Sequence, residues 1–217
     1  MKRDSVNAGM EGNMRKIGIM GGTFNPIHMG HLLLAQWALD EVKLDEVWVM
    51  PTGVSYLKAG RDVTAPEDRY HMACLAVQNN EKFRCCDMEI KREGYTYSYE
   101  TMIELHDRYP QDHFYFIFGA DCLFSIENWK CPEQIFANCT VLAAVRGDMD
   151  TEAMQSKIEE LKQKYHADIM LLPFMQLEIS STDIRERINM GKSVRYLVPD
   201  DVIAYIEEKG LYQNEVK

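Results

Sequence analysis

Met20-Gly-Gly-Thr-Phe-Asn-Pro-Ile-His-Met-Gly-His-Leu32 is the stretch on which the fold turns. The apolar run that leads into it, Ile17-Gly-Ile-Met20, reads as a buried β-strand. Gly21 and Gly22 follow at once, then Pro26, then His28 and His31 three residues apart. Beyond them, Leu32-Leu-Leu-Ala-Gln-Trp-Ala-Leu39 reads as a helix. A strand, a small-residue loop and a helix N-terminus together make an anion site. The glycines let backbone N–H groups approach a phosphate. On a first helical turn, the i, i+3 spacing puts both imidazoles on one face, with Gly30 leaving room between them. The spacing is that of neither a Walker loop nor the Gly-x-Gly-x-x-Gly dinucleotide fingerprint. A zinc site would need a third protein ligand, and no Cys or His stands nearby at a suggestive spacing.

The 217-residue chain suits one domain with a sizeable core, or one domain with a subdomain, and its 46% hydrophobic and 27% charged residues are ordinary for a globular protein. No apolar run approaches the ~20 residues that span a bilayer, and the N-terminus lacks the apolar core of a signal peptide. The six cysteines form no C-x-x-C pair. They read as reduced thiols of a cytoplasmic protein. The net charge of −10 argues against nucleic acid and membrane partners. An anionic substrate then requires local positive charge, from Lys58, Lys130, Arg146 and Arg185.

Residues 1–13 are polar and have no apolar period, so they read as a disordered N-terminal extension, with a single domain over 14–217. Strand-like segments are expected at 15–20, 46–50, 83–90, 114–118, 140–145 and 168–172. Helices are expected at 30–42, 66–79, 98–108, 132–137, 151–164, 181–189 and 199–208. Alternation of this kind predicts an α/β fold: a Rossmann-like, doubly wound parallel sheet with helices on both faces. Ligands of such sheets sit outside the carboxyl ends of the strands, where the first glycine loop lies.

Two further segments carry chemistry. In Ile179-Ser-Ser-Thr-Asp-Ile-Arg-Glu-Arg-Ile188, Ser180 or Ser181 can cap a helix. Arg185 falls one turn in, on the face of Ser181. Hydroxyls, helix N–H groups and a guanidinium fork could reach one phosphate group; the alternative is a capped surface helix. In Phe116-Ile-Phe-Gly-Ala-Asp-Cys-Leu-Phe124, a strand runs into Gly119 and then Asp121, with Trp129-Lys130 following. Asp121 could accept hydrogen bonds from ribose hydroxyls or simply cap a helix. Trp129 could stack on a flat ring or belong to the core, and Trp48, inside an apolar strand, reads as core.

The glycine-histidine loop and the Ile-Ser-Ser-Thr-x-Ile-Arg segment resemble the signatures of the nucleotidylyltransferase superfamily. From about Met14 to Tyr212, the chain resembles the bacterial nicotinate-nucleotide adenylyltransferases in particular. The segments that carry this are Gly94-Tyr-Thr-Tyr-Ser98 with Thr101, Gly119-Ala-Asp121 with Trp129-Lys130, Val145-Arg-Gly147, Tyr196-Leu-Val-Pro199, Tyr205-Ile206 and Gly210-Leu-Tyr212. The chain departs from the family pattern at Ser55-Tyr-Leu-Lys58, where many members have Pro-Pro-His-Lys, and at Asn25 and Ser98, where Asp and Thr are commoner.

The resemblance implies adenylyl transfer from ATP to nicotinate mononucleotide, giving nicotinate adenine dinucleotide and pyrophosphate in NAD biosynthesis. Mg²⁺ would be held by the phosphates, not by a protein metal site. It implies His28, His31 and Arg185 as catalytic residues. Gly21, Gly22, Thr23, Phe24, Gly119, Asp121, Ile179, Ser180 and Ser181 would bind ATP. Asn25, Lys58, Tyr97, Ser98, Trp129 and Arg146 would bind the mononucleotide. Oligomeric state is left open, a homo-oligomer included. The rival readings are a sister transferase with a phosphopantetheine or phospho-alcohol acceptor, and a non-catalytic nucleotide sensor that kept the fold.

Overall fold

The computed structural model describes residues 14–55, 63–146, 151–174 and 178–213. The expected extension 1–13 and Lys58 lie outside these residues. In chain order the elements are β1 (Lys16–Gly22), α1 (Met29–Val42), β2 (Glu46–Pro51), β3 (Val54–Ser55), α2 (Pro66–Val77), β4 (Phe83–Cys85), β5 (Tyr95–Thr96) and α3 (Ser98–Arg108). There follow β6 (His113–Gly119), α4 (Asp121–Ser125) with a 3-10 turn (Ile126–Asn128), α5 (Pro132–Asn138), β7 (Thr140–Arg146), α6 (Thr151–Tyr165), β8 (Ile169–Phe174), α7 (Ser181–Asn189) and α8 (Asp200–Lys209).

Six strands form one sheet in the order β4-β2-β1-β6-β7-β8, and every neighbouring pair is parallel. The expected doubly wound architecture is therefore the observed one. Strand alternation splits the core in two. Ile17, Ile19, Trp48, Met50, Phe114, Phe116, Phe118, Val141 and Ala143 face one side, against Met102 and Leu105 of α3, Leu123 of α4, Ile135 of α5 and Ile158 of α6. Met20, Val47, Val49, Tyr115, Ile117 and Leu142 face the other, against Ala35 of α1, Met72 of α2, Ile184 of α7 and Val202 of α8. Gly18 belongs to this second face. A Cβ there would stand 2.8 Å from Leu44 and 2.9 Å from Ile117, so the strand can pack at that point only without a side chain.

The order of strands reverses between β1 and β6, and the crevice of such a fold lies outside the carboxyl ends of those two strands. Three expectations need correction. Gly21 and Gly22 are not in the loop after the first strand. They are its last two residues, paired with Met50 and Pro51. The strand expected over 83–90 stops at Cys85, because Lys91 and Arg92 bond back to Asp87 and Glu89 and close turns instead of a ladder. Pro173 does not merely punctuate the chain. It lies inside β8, an edge strand, where the missing N–H costs no ladder bond on the open side. The short helix α4 and the two-residue parallel pair β3–β5 are additional elements.

Candidate active site

The loop between β1 and α1 is held from outside itself. Phe24 sits in the left-handed region (φ 49°) and is buried. The carbonyl of Thr23 accepts from Arg69 Nη1 at 2.6 Å. The carbonyl of Asn25 accepts from Arg185 Nη1 at 2.9 Å, and that of Pro26 accepts from the Ser181 hydroxyl at 2.9 Å. Arg69 is only 1% exposed, and its other two nitrogens donate to the carbonyls of Thr64 and Gly53 at 2.9 and 2.8 Å. Burial lowers its pKa from the ordinary arginine value, with the nearby Tyr212 and Glu67 opposing the shift. One guanidinium thus ties together the loops that follow β1 and β2 and the segment that enters α2.

His28 is the N-cap of α1, with extended backbone (φ −149°, ψ 171°), and His31 stands at the third position of the helix. Their rings stack, with centroids 3.7 Å apart and planes 26° from parallel. Phe24 packs edge-on against His31 at 4.9 Å. The backbone N–H of His28 donates to Nδ1 of His31 at 3.3 Å. In the neutral imidazole that leaves the proton on Nε2. Gly30 lies beneath them, where a Cβ would stand 3.1 Å from the His28 ring and press on it.

The pair lines a cavity of about 480 Å³ that also takes in Gly21, Gly119, Asp121, Ile179, Ser180 and Ser181. Gly119 leaves space for the Asp121 carboxylate, which a Cβ would meet at 2.5 Å. Asp121 is not a cap: it is the first residue of α4, whose N-cap is Ala120. Ser180 is the residue that caps α7, accepting from the Asp183 N–H at 3.1 Å and donating to its carboxylate at 2.7 Å. Ser181 bonds to Pro26 as above.

A second cavity of about 280 Å³ adjoins the first and shares Gly21 and Cys122 with it. Gly22, Thr23, Thr52, Ser55, Glu89, Thr96, Ser98, Phe116 and Trp129 line it. Trp129 is held by Phe118 and Phe116, at centroid distances of 6.1 and 6.4 Å. Ser98 opens α3, and Tyr97 is that helix's N-cap, its ring covered by the Lys130 ammonium at 4.1 Å. Trp48, by contrast, is core at 1% exposure.

Arg185 lines a third recess of about 350 Å³ beside Asn25, Thr64 and Tyr212. Asn25, expected to bind the mononucleotide, lines this recess and is bonded within the protein. Its side chain is 7% exposed, and Oδ1 accepts from the Thr64 N–H and from the Tyr212 hydroxyl at 3.3 and 2.9 Å. It tethers the C-terminal segment to the loop. Arg146 ends β7 opposite Phe174.

Arg69 and Glu89 are residues that motif reading does not single out, and Tyr212 enters it only within the Gly210-Leu-Tyr212 segment. Glu89 is 5% exposed and lines the second cavity. Burial pushes its pKa up to about 6, against the Thr101 hydroxyl bond and the charge of Arg92. Thr101 donates to Glu89 Oε1 at 2.8 Å, and Arg92 in turn donates to Thr101 at 2.9 Å.

Arg69→Met should destabilise the fold by at least ~2 kcal/mol. It leaves three carbonyls without their donor, and each unmet buried group costs about 1–3 kcal/mol. Chemical denaturation measures this, and an unchanged midpoint would show that water replaces the guanidinium. Glu89 gives a pH signature. Its folded pKa of about 6 lies above the ordinary 4.5. The folded state therefore binds the extra proton between those values, and stability falls as pH rises through that window. Relative to Glu89→Gln, the parent chain should lose about 2 kcal/mol between pH 4 and 7. Parallel stability curves for the two proteins would contradict it.

Comparison with known proteins places the chain in a family. The cytidylyltransferase-like family matches residues 19–187. A "probable nicotinate-nucleotide adenylyltransferase" of Lachnoclostridium phytofermentans is 44% identical over 199 residues, covering 92% of this chain and 100% of that protein. One of the same name from Desulfitobacterium hafniense is 44% identical over 202 residues, covering 92% and 96%. Among solved structures, the nicotinic acid mononucleotide adenylyltransferase of Plasmodium falciparum complexed with NaAD superposes with a TM-score of 0.75 at 21% identity, covering 91% of this chain and 97% of that one, a likeness of fold. With its glycine-histidine loop and Ser-Ser-Thr helix set at the reversal point of a parallel sheet, the chain belongs to the cytidylyltransferase-like family and, within it, to the nicotinate-nucleotide adenylyltransferases.

Proposed function

We propose that the chain transfers the adenylyl group of ATP to nicotinate mononucleotide, releasing pyrophosphate and forming nicotinate adenine dinucleotide. The observation that carries this reading is the pair of adjoining cavities at the strand-order reversal, which share Gly21 and Cys122. One is lined by imidazoles and a helix N-terminus, which suit a polyphosphate. The other has an indole and hydroxyls, which suit a flat ring with a polar substituent. A dinucleotide lying across Gly21 would place its phosphate bridge where the two meet.

The attacking group is a phosphate oxygen of the mononucleotide. It is already anionic near neutral pH, so the site needs no general base. It forms a bond to the α-phosphorus as the bond to the bridging oxygen breaks, and pyrophosphate leaves. The protein's work is to hold two polyanions in line and to stabilise charge on the leaving group. His31 Nε2 and the His28 ring act at the α-phosphate and the bridge. The first turn of α7 and Arg185 take the β and γ groups, which asks Arg185 to exchange the Asn25 carbonyl for phosphate. Asp121 is placed for ribose, and Trp129 and Ser98 for the pyridine ring and its carboxylate. Asn25 acts by positioning, not by touching substrate.

Among the described residues, no three His, Cys, Asp or Glu side chains converge as a metal cage. A Mg²⁺ entering with ATP fits this site as an ion held mainly by phosphate oxygens, where it would offset their charge. Net charge of −10 supports small-molecule partners over nucleic acid. Among the described residues no helix is long and apolar enough to cross a membrane. The six free thiols support a reducing, cytoplasmic setting.

The test is pyrophosphate release from ATP with each mononucleotide in turn. The nicotinate compound should be preferred in kcat/KM by tenfold or more. An amide in place of the carboxylate turns an NH₂ toward donors and leaves buried groups unmatched, at about 1–3 kcal/mol each. Equal use of both acceptors would remove the acceptor assignment while leaving adenylyl transfer intact. No release with either would remove the reaction.

A further inference from the structure

The packing of α2 on β4 brings two cysteines together away from the cleft. Cys85 ends the edge strand β4, and its thiol donates to the carbonyl of Tyr70 in α2 at 3.8 Å. Cys74 stands one turn further along α2, on the same face as Tyr70. The Cys85 sulfur therefore lies against the turn of α2 that carries Cys74, close enough for the two thiols and the Tyr70 phenol to shift one another's ionisation. Both thiols are half-buried. The sequence neighbour Cys86 is no competitor: strand alternation turns it to the opposite core, where it is 8% exposed.

We propose that Cys74 and Cys85 are a modification site, a dithiol that hydrogen peroxide converts to a disulfide fastening α2 to the sheet edge. The Cys74 thiolate attacks one peroxide oxygen, the O–O bond breaks, and the other oxygen leaves as hydroxide, which takes a proton to become water. Cys74 is then a sulfenic acid. The Cys85 sulfur attacks the Cys74 sulfur, the S–S bond forms as the S–O bond breaks, and the hydroxyl leaves with the Cys85 proton as a second water. The two thiols give up two electrons and the peroxide takes them.

The direction of attack follows from the surroundings. As Cys74 ionises, the Cys85 S–H can turn from the Tyr70 carbonyl to the thiolate, and with the Tyr70 phenol it holds the Cys74 pKa down at about 7, against burial and the charge of Asp87. The same contact and its own burial push the Cys85 thiol well up. A thiol with thiolate character, partly open to solvent and beside a resolving thiol, is the arrangement of redox-responsive pairs. Three of the other four cysteines lack it: Cys139 and Cys86 are buried, and burial pushes the Cys122 thiol up to about 11.

The full chain is treated with hydrogen peroxide under native conditions, blocked with N-ethylmaleimide, digested and read by mass spectrometry. The expected result is a disulfide-linked pair of peptides containing Cys74 and Cys85, abolished by dithiothreitol. In Cys85→Ser, dimedone should label Cys74 instead. Alkylation of both Cys74 and Cys85 in the peroxide-treated parent chain would overturn the proposal, as would a bond from Cys85 to Cys86. The readout on the parent chain stands whether or not the variant folds.

Discussion

A single buried guanidinium fixes the geometry on which the cleft depends. Arg69 is carried on the first turn of α2, and it donates to carbonyls of Thr23, Gly53 and Thr64. A lysine ammonium could not span those acceptors, because only the planar fork presents several donors in fixed directions. The segment it holds goes straight into His28. Two residues further along, Arg185 and Ser181 take the next carbonyls from the other side of the cleft. The loop therefore has few conformations left to choose from, and the stacked imidazoles inherit that order. Preorganisation of this kind gives electrostatic catalysis its effect, since the donors need not reorganise as charge develops.

The site also shows how an acidic chain can accept polyanions. The overall charge of −10 would repel ATP at long range. In the proposed reaction the cleft offers ATP imidazole and backbone N–H groups, with the Asp121 carboxylate lining the same cavity and assigned to ribose. Arg185 waits at the rim on a backbone carbonyl, a partner that carries no net charge and can be exchanged for phosphate. The proposed reaction assigns acceptor specificity to the second cavity, where Trp129 is braced by two phenylalanines and Ser98 begins a helix.

The sequence made the elements with strong local signals legible. The helices at 98–108 and 181–189 have the expected limits, because apolar periodicity marks both and a capping serine marks the second. The glycine-histidine loop could be placed because its residue types are unusual in one short run. Arg69 could not be found that way. Its acceptors lie 5, 16 and 46 residues from it, and nothing local marks a basic residue in an amphipathic helix as buried. Glu89 was hidden for the same reason, inside a segment that read as strand. Helix α4 has only five residues, too few to show a period. The Ser180 hydroxyl illustrates a finer point. Capping and phosphate binding call for the same residue at the same place, and the bond from the Asp183 N–H shows the capping one.

The account rests on one dinucleotide lying across Gly21, and a crystal structure of the chain with nicotinate adenine dinucleotide tests that most directly. The phosphate bridge should lie beside His28, His31 and the start of α7, with the pyridine ring against Trp129 and its carboxylate at Ser98. A ligand bound elsewhere, or one lying with adenine against Trp129 and the pyridine near Ile179, would contradict it.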